Sequence, residues 1–276
     1  MLRSAKIAPV FEYDLLERFW RDADDLGFRG VYNYDHFYGL YVLGQPLELP
    51  TLEAWTTLTA MAKVTERARI GCMVTGVTYR HPAVLAHMAV SVDHTSGGRL
   101  EFGLGAAWHE PEHLTNGIPF PSAGTRIAML DEACEIIRRL WTEESVTHEG
   151  RFWTLRDALC FPKPVQKKIP FVIGGSGPRK TLRVVAKHAD EWNAPAATAE
   201  DYTRLAKILD EHCADIGRDP SEIRRSVQLF VFPENKAQVD GLPDEIAGLS
   251  EAGVEHVVIS FYSPPTRDVL SALAPG

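Results

Sequence analysis

The segment Ile169-Pro-Phe-Val-Ile-Gly-Gly-Ser-Gly-Pro-Arg-Lys-Thr181 places Gly174, Gly175 and Gly177 directly after a short apolar run. Phe171 to Ile173 have the pattern of a buried strand. Leu182, Val185, Ala186 and Ala189 then recur at helical spacing. Glycines let backbone N–H groups approach an anion closely, and a helix N-terminus offers free donors to it. Arg179 and Lys180 add positive charge beside the turn. A phosphate cradle formed by Gly174, Gly175, Ser176 and Gly177 is the chemical expectation. A plain tight turn uses the same glycines, and the spacing is neither the dinucleotide fingerprint nor a P-loop.

His36, after Asp35, is the candidate for proton chemistry, because imidazole titrates near neutrality and can donate or accept. A loop histidine that caps a backbone group is the alternative. His81, His87, His94, His109 and His113 follow no zinc-protease spacing, and no HxH motif ends the first strand, so no metal site is expected. No GxSxG elbow is present, which argues against a strand-top serine hydrolase. Trp108 and Tyr79 can stack on a flat ring or simply pack. Arg67, Arg69 and Arg80 flank the third strand, either as a solvated rim or as a landing place for an acidic tail.

These residues must be carried by alternating strands and helices. Strands are expected at Ala5 to Val10, Gly30 to Tyr34, Arg69 to Thr75, Leu100 to Gly105, Phe171 to Ile173, Glu191 to Ala194, Val227 to Phe232 and His256 to Tyr262. Apolar stripes such as Leu16, Phe19, Ala23 and Leu26, or Ile127, Leu130, Cys134, Ile137 and Trp141, mark helices between them. Residues 142–168 break the rhythm and form an irregular insertion with room for a small hairpin. The chain between Phe232 and Asp244 is short, so one helix is expected to be reduced. The alternation fits a single (β/α)8 barrel over residues 1–276, with a doubly wound sheet as the competing architecture. In such a barrel, sites lie at the C-terminal strand ends, where Asp35, His36, Ala106, Ala107, Trp108 and the glycine turn fall.

A net charge of −8 argues against nucleic acid as the main partner. The four cysteines have no CxxC spacing and read as free thiols of a cytoplasmic protein. No charged-then-apolar leader and no membrane-spanning apolar run is seen. A cytoplasmic homodimer acting on a small-molecule substrate is the expected form.

Taken together, the motifs resemble the bacterial-luciferase-like superfamily, and within it the branch that uses coenzyme F420. The matching stretches are Leu26-Gly-Phe-Arg-Gly-Val31 before Asp35-His36, Arg69-Ile-Gly-Cys-Met-Val-Thr-Gly76 leading to Tyr79-Arg-His-Pro82, and Asp93-His-Thr-Ser-Gly-Gly-Arg-Leu-Glu-Phe-Gly-Leu-Gly105. Gly174-Gly-Ser-Gly-Pro178 and Ala189-Asp-Glu-Trp-Asn193 complete the set. The resemblance implies a TIM barrel with an insertion after its fourth helix. It implies a cis peptide at Cys72–Met73, on a third-strand bulge that backs the cofactor ring. It implies cofactor contacts from Asp35, His36, Cys72, Met73, Ala106, Ala107, Trp108 and the Gly174–Gly177 loop, with Ala107 standing where relatives commonly have glycine. The implied reaction is hydride transfer between the deazaflavin C5 and a small organic substrate, with His36 handling the proton and Trp108 walling the substrate pocket. Rival readings are a monooxygenase using reduced FMN and oxygen, a non-catalytic flavin-binding protein, and, least favoured, a metal-dependent barrel hydrolase.

Overall fold

The computed structural model describes residues 1–7, 12–40, 46, 48–195 and 198–275. The chain opens with β1 (Leu2–Ile7), α1 (Tyr13–Asp25), β2 (Gly30–Asn33) and α2 (Ala54–Val64). β3 (Arg69–Cys72) and β4 (Thr75–Gly76) follow, then α3 (Pro82–Thr95), β5 (Leu100–Gly105), α4 (Glu110–Thr115) and α5 (Ala123–Thr142). The hairpin of β6 (Val146–Glu149) and β7 (Thr154–Ala158) stands outside the alternation. β8 (Phe171–Gly174), α6 (Thr181–His188), β9 (Glu191–Pro195), α7 (Ala199–Asp215), β10 (Arg224–Val231), α8 (Lys236–Glu251), β11 (His256–Phe261) and α9 (Arg267–Leu273) complete it.

The strands run parallel in the order β3-β2-β1-β11-β10-β9-β8-β5-β4, and pairing of β3 with β5 closes the ring. Because β4 continues β3, the ring has eight places: a (β/α)8 barrel, as expected. The predicted first strand begins three residues earlier, at Leu2, and residues 8–10 of that expectation lie outside the described residues. The insertion carries the hairpin anticipated for it.

Sequence chemistry accounts for the helix starts. Pro82 opens α3 at a position where its missing N–H costs nothing, and the His81 ring accepts from Ala83 N–H. Ser122, Thr198 and Glu53 cap α5, α7 and α2 with side-chain oxygens. The expected reduction of the helix after Phe232 does not occur: α8 spans 16 residues with Pro243 inside it. Burial of Leu242, Ile246 and Leu249 against the barrel carries the helix past the lost hydrogen bond.

The apolar core lies between the strands and the surrounding helices. Inside the barrel's N-terminal half, the packing is polar. Glu101 accepts two hydrogen bonds from Arg29, at 3.0 and 2.6 Å, and one from the Tyr32 hydroxyl. Glu191 pairs with His256 at 2.7 Å, and His256 reaches Ser4 at 2.8 Å. This layer seals the floor beneath the C-terminal cavity.

Candidate active site

His36 follows β2 and is nearly buried. Its Nδ1 lies 3.1 and 3.0 Å from the two oxygens of Glu112, a fully buried carboxylate on α4. Glu112 also accepts from Phe37 N–H at 2.9 Å, Tyr38 N–H at 3.3 Å and the Tyr79 hydroxyl at 2.6 Å. Burial pushes the Glu112 carboxyl up, but its contacts with His36, Tyr79 and Phe37 outweigh this and hold it at about 2. An ionised Glu112 only accepts, so His36 donates to it from Nδ1, and Nε2 is the ring nitrogen left for a substrate.

Trp108 packs edge-on against His36 with centroids 5.4 Å apart, and is 48% exposed. It forms an outer wall rather than a core contact. His109 lies 3.3 Å from Glu112, and burial lowers its basicity. His36, His109 and Glu112 bring three ligand atoms within 4.8 Å of one another, so they could hold a divalent cation. The histidine spacing gave no sign of this, because His36 and His109 arrive from different strand ends.

His36, Tyr79 and Trp108 border a cavity of about 570 Å³ at the C-terminal end of the barrel. Of the residues expected to contact a cofactor, Asp35, His36, Met73, Ala106, Ala107, Trp108, Gly174, Gly175 and Ser176 line it. Cys72 instead points into the core behind the strands, and Gly177 does not line the cavity. Asp35 is at the cavity edge, but its carboxylate is engaged by Arg80 at 2.7 and 2.9 Å. Arg80 also binds Glu53, and Arg69 binds the carbonyls of Gly98 and Leu100. These two arginines of the third-strand rim are therefore internal braces, not a landing place for a tail.

The cavity floor is a bulge. Ile70 and Gly71 pair with Leu100 and Glu101, whereas Thr75 and Gly76 pair with Leu104 and Gly105. Cys72, Met73 and Val74 thus face only Phe102 and Gly103, and the extra residue pushes inward. The cis peptide is Met73–Val74, one residue beyond the expected Cys72–Met73. The reason is pairing: Met73 N–H still donates to Asn33 at 3.0 Å, so the ladder with β2 holds through Met73. Glycines make room for Val74. A Cβ at Gly105 would stand 2.6 Å from a Val74 methyl, and one at Gly174 3.2 Å. Ala107 has φ +57, a left-handed conformation that favours glycine.

Residues 3–239 match the luciferase-like monooxygenase family. The chain belongs to this family. An uncharacterised protein of Mycobacterium tuberculosis (strain ATCC 25618 / H37Rv) is 33% identical over 224 residues, covering 81% of this chain and 73% of that one. An F420-dependent glucose-6-phosphate dehydrogenase of Kineococcus radiotolerans is 30% identical over 236 residues, covering 84% and 68%. Among solved structures, an F420-dependent secondary alcohol dehydrogenase in complex with an F420-acetone adduct superposes with a TM-score of 0.85 at 20% identity, covering 99% and 97%. That likeness is one of fold.

Within this luciferase-like barrel, two site residues escaped sequence reasoning. Glu112 holds His36 from α4, whose approach to β2 no local pattern reveals, and Tyr79, expected only to stack or pack, donates to Glu112. Lys6 lies on the cavity floor with its charge buried. Its signal was available: a lysine inside an apolar strand, where a charge is costly.

Proposed function

We propose that the protein is a coenzyme F420-dependent oxidoreductase that transfers a hydride between the deazaflavin C5 and a small organic substrate. It works as a single barrel domain, in the cytoplasm and as a homodimer. The observation that carries the reading is the relationship to F420-dependent glucose-6-phosphate dehydrogenases at 30% identity over 84% of the chain, combined with His36 fixed by Glu112 on the cavity wall.

The residues present fit such a cofactor. The Met73–Val74 bulge, cleared by Gly105 and Gly174, offers a flat apolar support for a ring. The loop before α6 offers an anion site at a helix N-terminus. Gly175 N–H is already engaged by Asn193 O at 3.1 Å, so the phosphate proposed here is met by the turn's other N–H groups, at Ser176 and Gly177. Gly175, at φ +132, and Gly177 fold around Thr181, where a Cβ would come within 2.9 Å and 2.6 Å of its side chain. When bound, the deazaflavin supplies a hydride donor or acceptor at C5. His36 Nε2 accepts or returns the substrate proton, and Glu112 stabilises the ring as it gains charge. Trp108 covers the substrate and limits water.

Anaerobic assays with reduced and oxidised F420 against a panel of small alcohols, aldehydes, ketones and enones test this. Substrate-dependent change in the F420 absorbance is expected without oxygen. Turnover that requires both reduced FMN and oxygen, with F420 inert, would instead establish the monooxygenase reading.

A further inference from the structure

Lys6 is 2% exposed and borders the cavity from β1. Its ammonium donates to Met73 O on the bulge and to Gln228 Oε1 on β10 at 3.1 Å. It lies 3.6 Å above the centre of the Tyr34 ring. Among the described residues no carboxylate forms a salt bridge with it. The titratable group that faces it is the Tyr34 phenol after β2, and the Cys72 thiol acts on it from behind β3. Burial raises both, so both stay neutral near pH 8. Asp35 lies beyond Cys72 and is neutralised by Arg80. A buried cation surrounded by neutral dipoles is costly. Burial accordingly brings Lys6 down to about 7.

Resting on the F420 reading above, we propose that Lys6 is the counter-ion for a negative charge carried on the ring system of the bound ligand, and that it takes up a proton from solvent as the ligand binds. The ligand class is a planar heterocycle with an ionised ring substituent, which the acidic 8-hydroxyl of a deazaflavin supplies. A ring that is neutral leaves the ammonium uncompensated. Lys6 thereby selects for ring charge, independently of the phosphate proposed for the glycine loop after β8, four strands away around the barrel. The residue positions and selects; it does not touch the transferred hydride.

Calorimetric titration of the protein with oxidised F420 at about pH 8, in two buffers of different ionisation enthalpy, reads the proton directly. Wild type is expected to take up close to one proton per ligand. Lys6→Met and Lys6→Arg are expected to take up none, and Lys6→Met to bind at least tenfold more weakly. Lys6→Arg retains a charge it cannot release, so it serves where Lys6→Met fails to fold. Binding without uptake in wild type, or equal uptake in wild type and Lys6→Arg, overturns the proposal and leaves the F420 reading standing. Absence of F420 binding by wild type overturns both. The ligand-free protein provides a second readout. The folded Lys6 value lies below the unfolded one, so the unfolded chain binds more protons between them, and stability rises with pH from about 7 to 10.5. Lys6→Met should lack that rise; a matching rise in the variant contradicts the buried-cation premise.

Discussion

At the scale of single residues, the proposed chemistry rests on one oriented imidazole, held at Nδ1 by Glu112. His36→Ala should lower turnover by roughly a hundredfold or more, the usual scale for a general acid or base, with F420 affinity much less affected. Steady-state kinetics beside a binding titration separate the two effects. His36→Gln that keeps full turnover would reduce the residue to a positioning role. Glu112→Gln retains the shape but loses the fixed acceptor, and should cost about 10- to 100-fold in kcat, the range typical of orienting partners. Ala107, at φ +57, gives a stability test at the same scale. Ala107→Gly should raise the unfolding free energy by about 1 kcal/mol in denaturant titration, because glycine meets that conformation without a Cβ clash.

At the scale of elements, the cavity depends on the bulge between β3 and β4 and on the turn between β8 and α6. Gly103 is the tightest point: a Cβ there would stand 1.9 Å from Cys72 O, and backbone cannot yield cheaply. Gly103→Ala should therefore destabilise the fold by about 1–3 kcal/mol or more, read as a lower denaturant midpoint. In the glycine turn, Ser176 is exposed and free of backbone strain, so Ser176→Asp isolates the effect of charge. F420 affinity should fall at least tenfold, about 1.4 kcal/mol, with the melting temperature unchanged. Unchanged affinity would remove the turn from the site. Only the glycine turn was legible in the residues themselves, by its local spacing; the bulge came from the family resemblance, which set its cis peptide one residue early, at Cys72–Met73. The missing residue of precision depended on where pairing with β2 stops, which is a tertiary fact. Glu112 was illegible for the same reason: α4 is six residues long, and only the barrel brings it to His36.

At the scale of the whole molecule, the alternation of short apolar runs and helical stripes was sufficient to infer the barrel, because each strand needs a helix to cover it. The polar layer inside the barrel could not be inferred that way. Ser4, Glu101, Glu191 and His256 sit on strands that read as apolar runs with isolated polar residues, and only closure of the ring makes them neighbours. The layer also makes stability depend on pH. Burial pushes Glu191 up, but His256 and its hydrogen bonds outweigh this and bring it from 4.5 to about 2. A depressed carboxylate contributes stability that is present above the unfolded value and lost as pH falls through the folded one. Wild type should accordingly lose stability between about pH 4.5 and 2. Arg29→Met takes from buried Glu101 its two-fold donor and leaves it the Tyr32 hydroxyl and Arg69 at 3.5 Å, which should cost up to about 3–5 kcal/mol at neutral pH. Among the described residues, no helix is long and apolar enough to cross a membrane, and all four cysteines are free and buried.

The choice between a deazaflavin and FMN is made in this cavity. Equilibrium titration of the purified protein with F420 and, separately, with FMN, followed by absorbance and fluorescence, tests it most directly. F420 is predicted to bind more tightly than FMN, with a change in its spectrum as the ring enters the cavity over the Met73–Val74 bulge. Tight binding of FMN with no detectable binding of F420 would contradict the account.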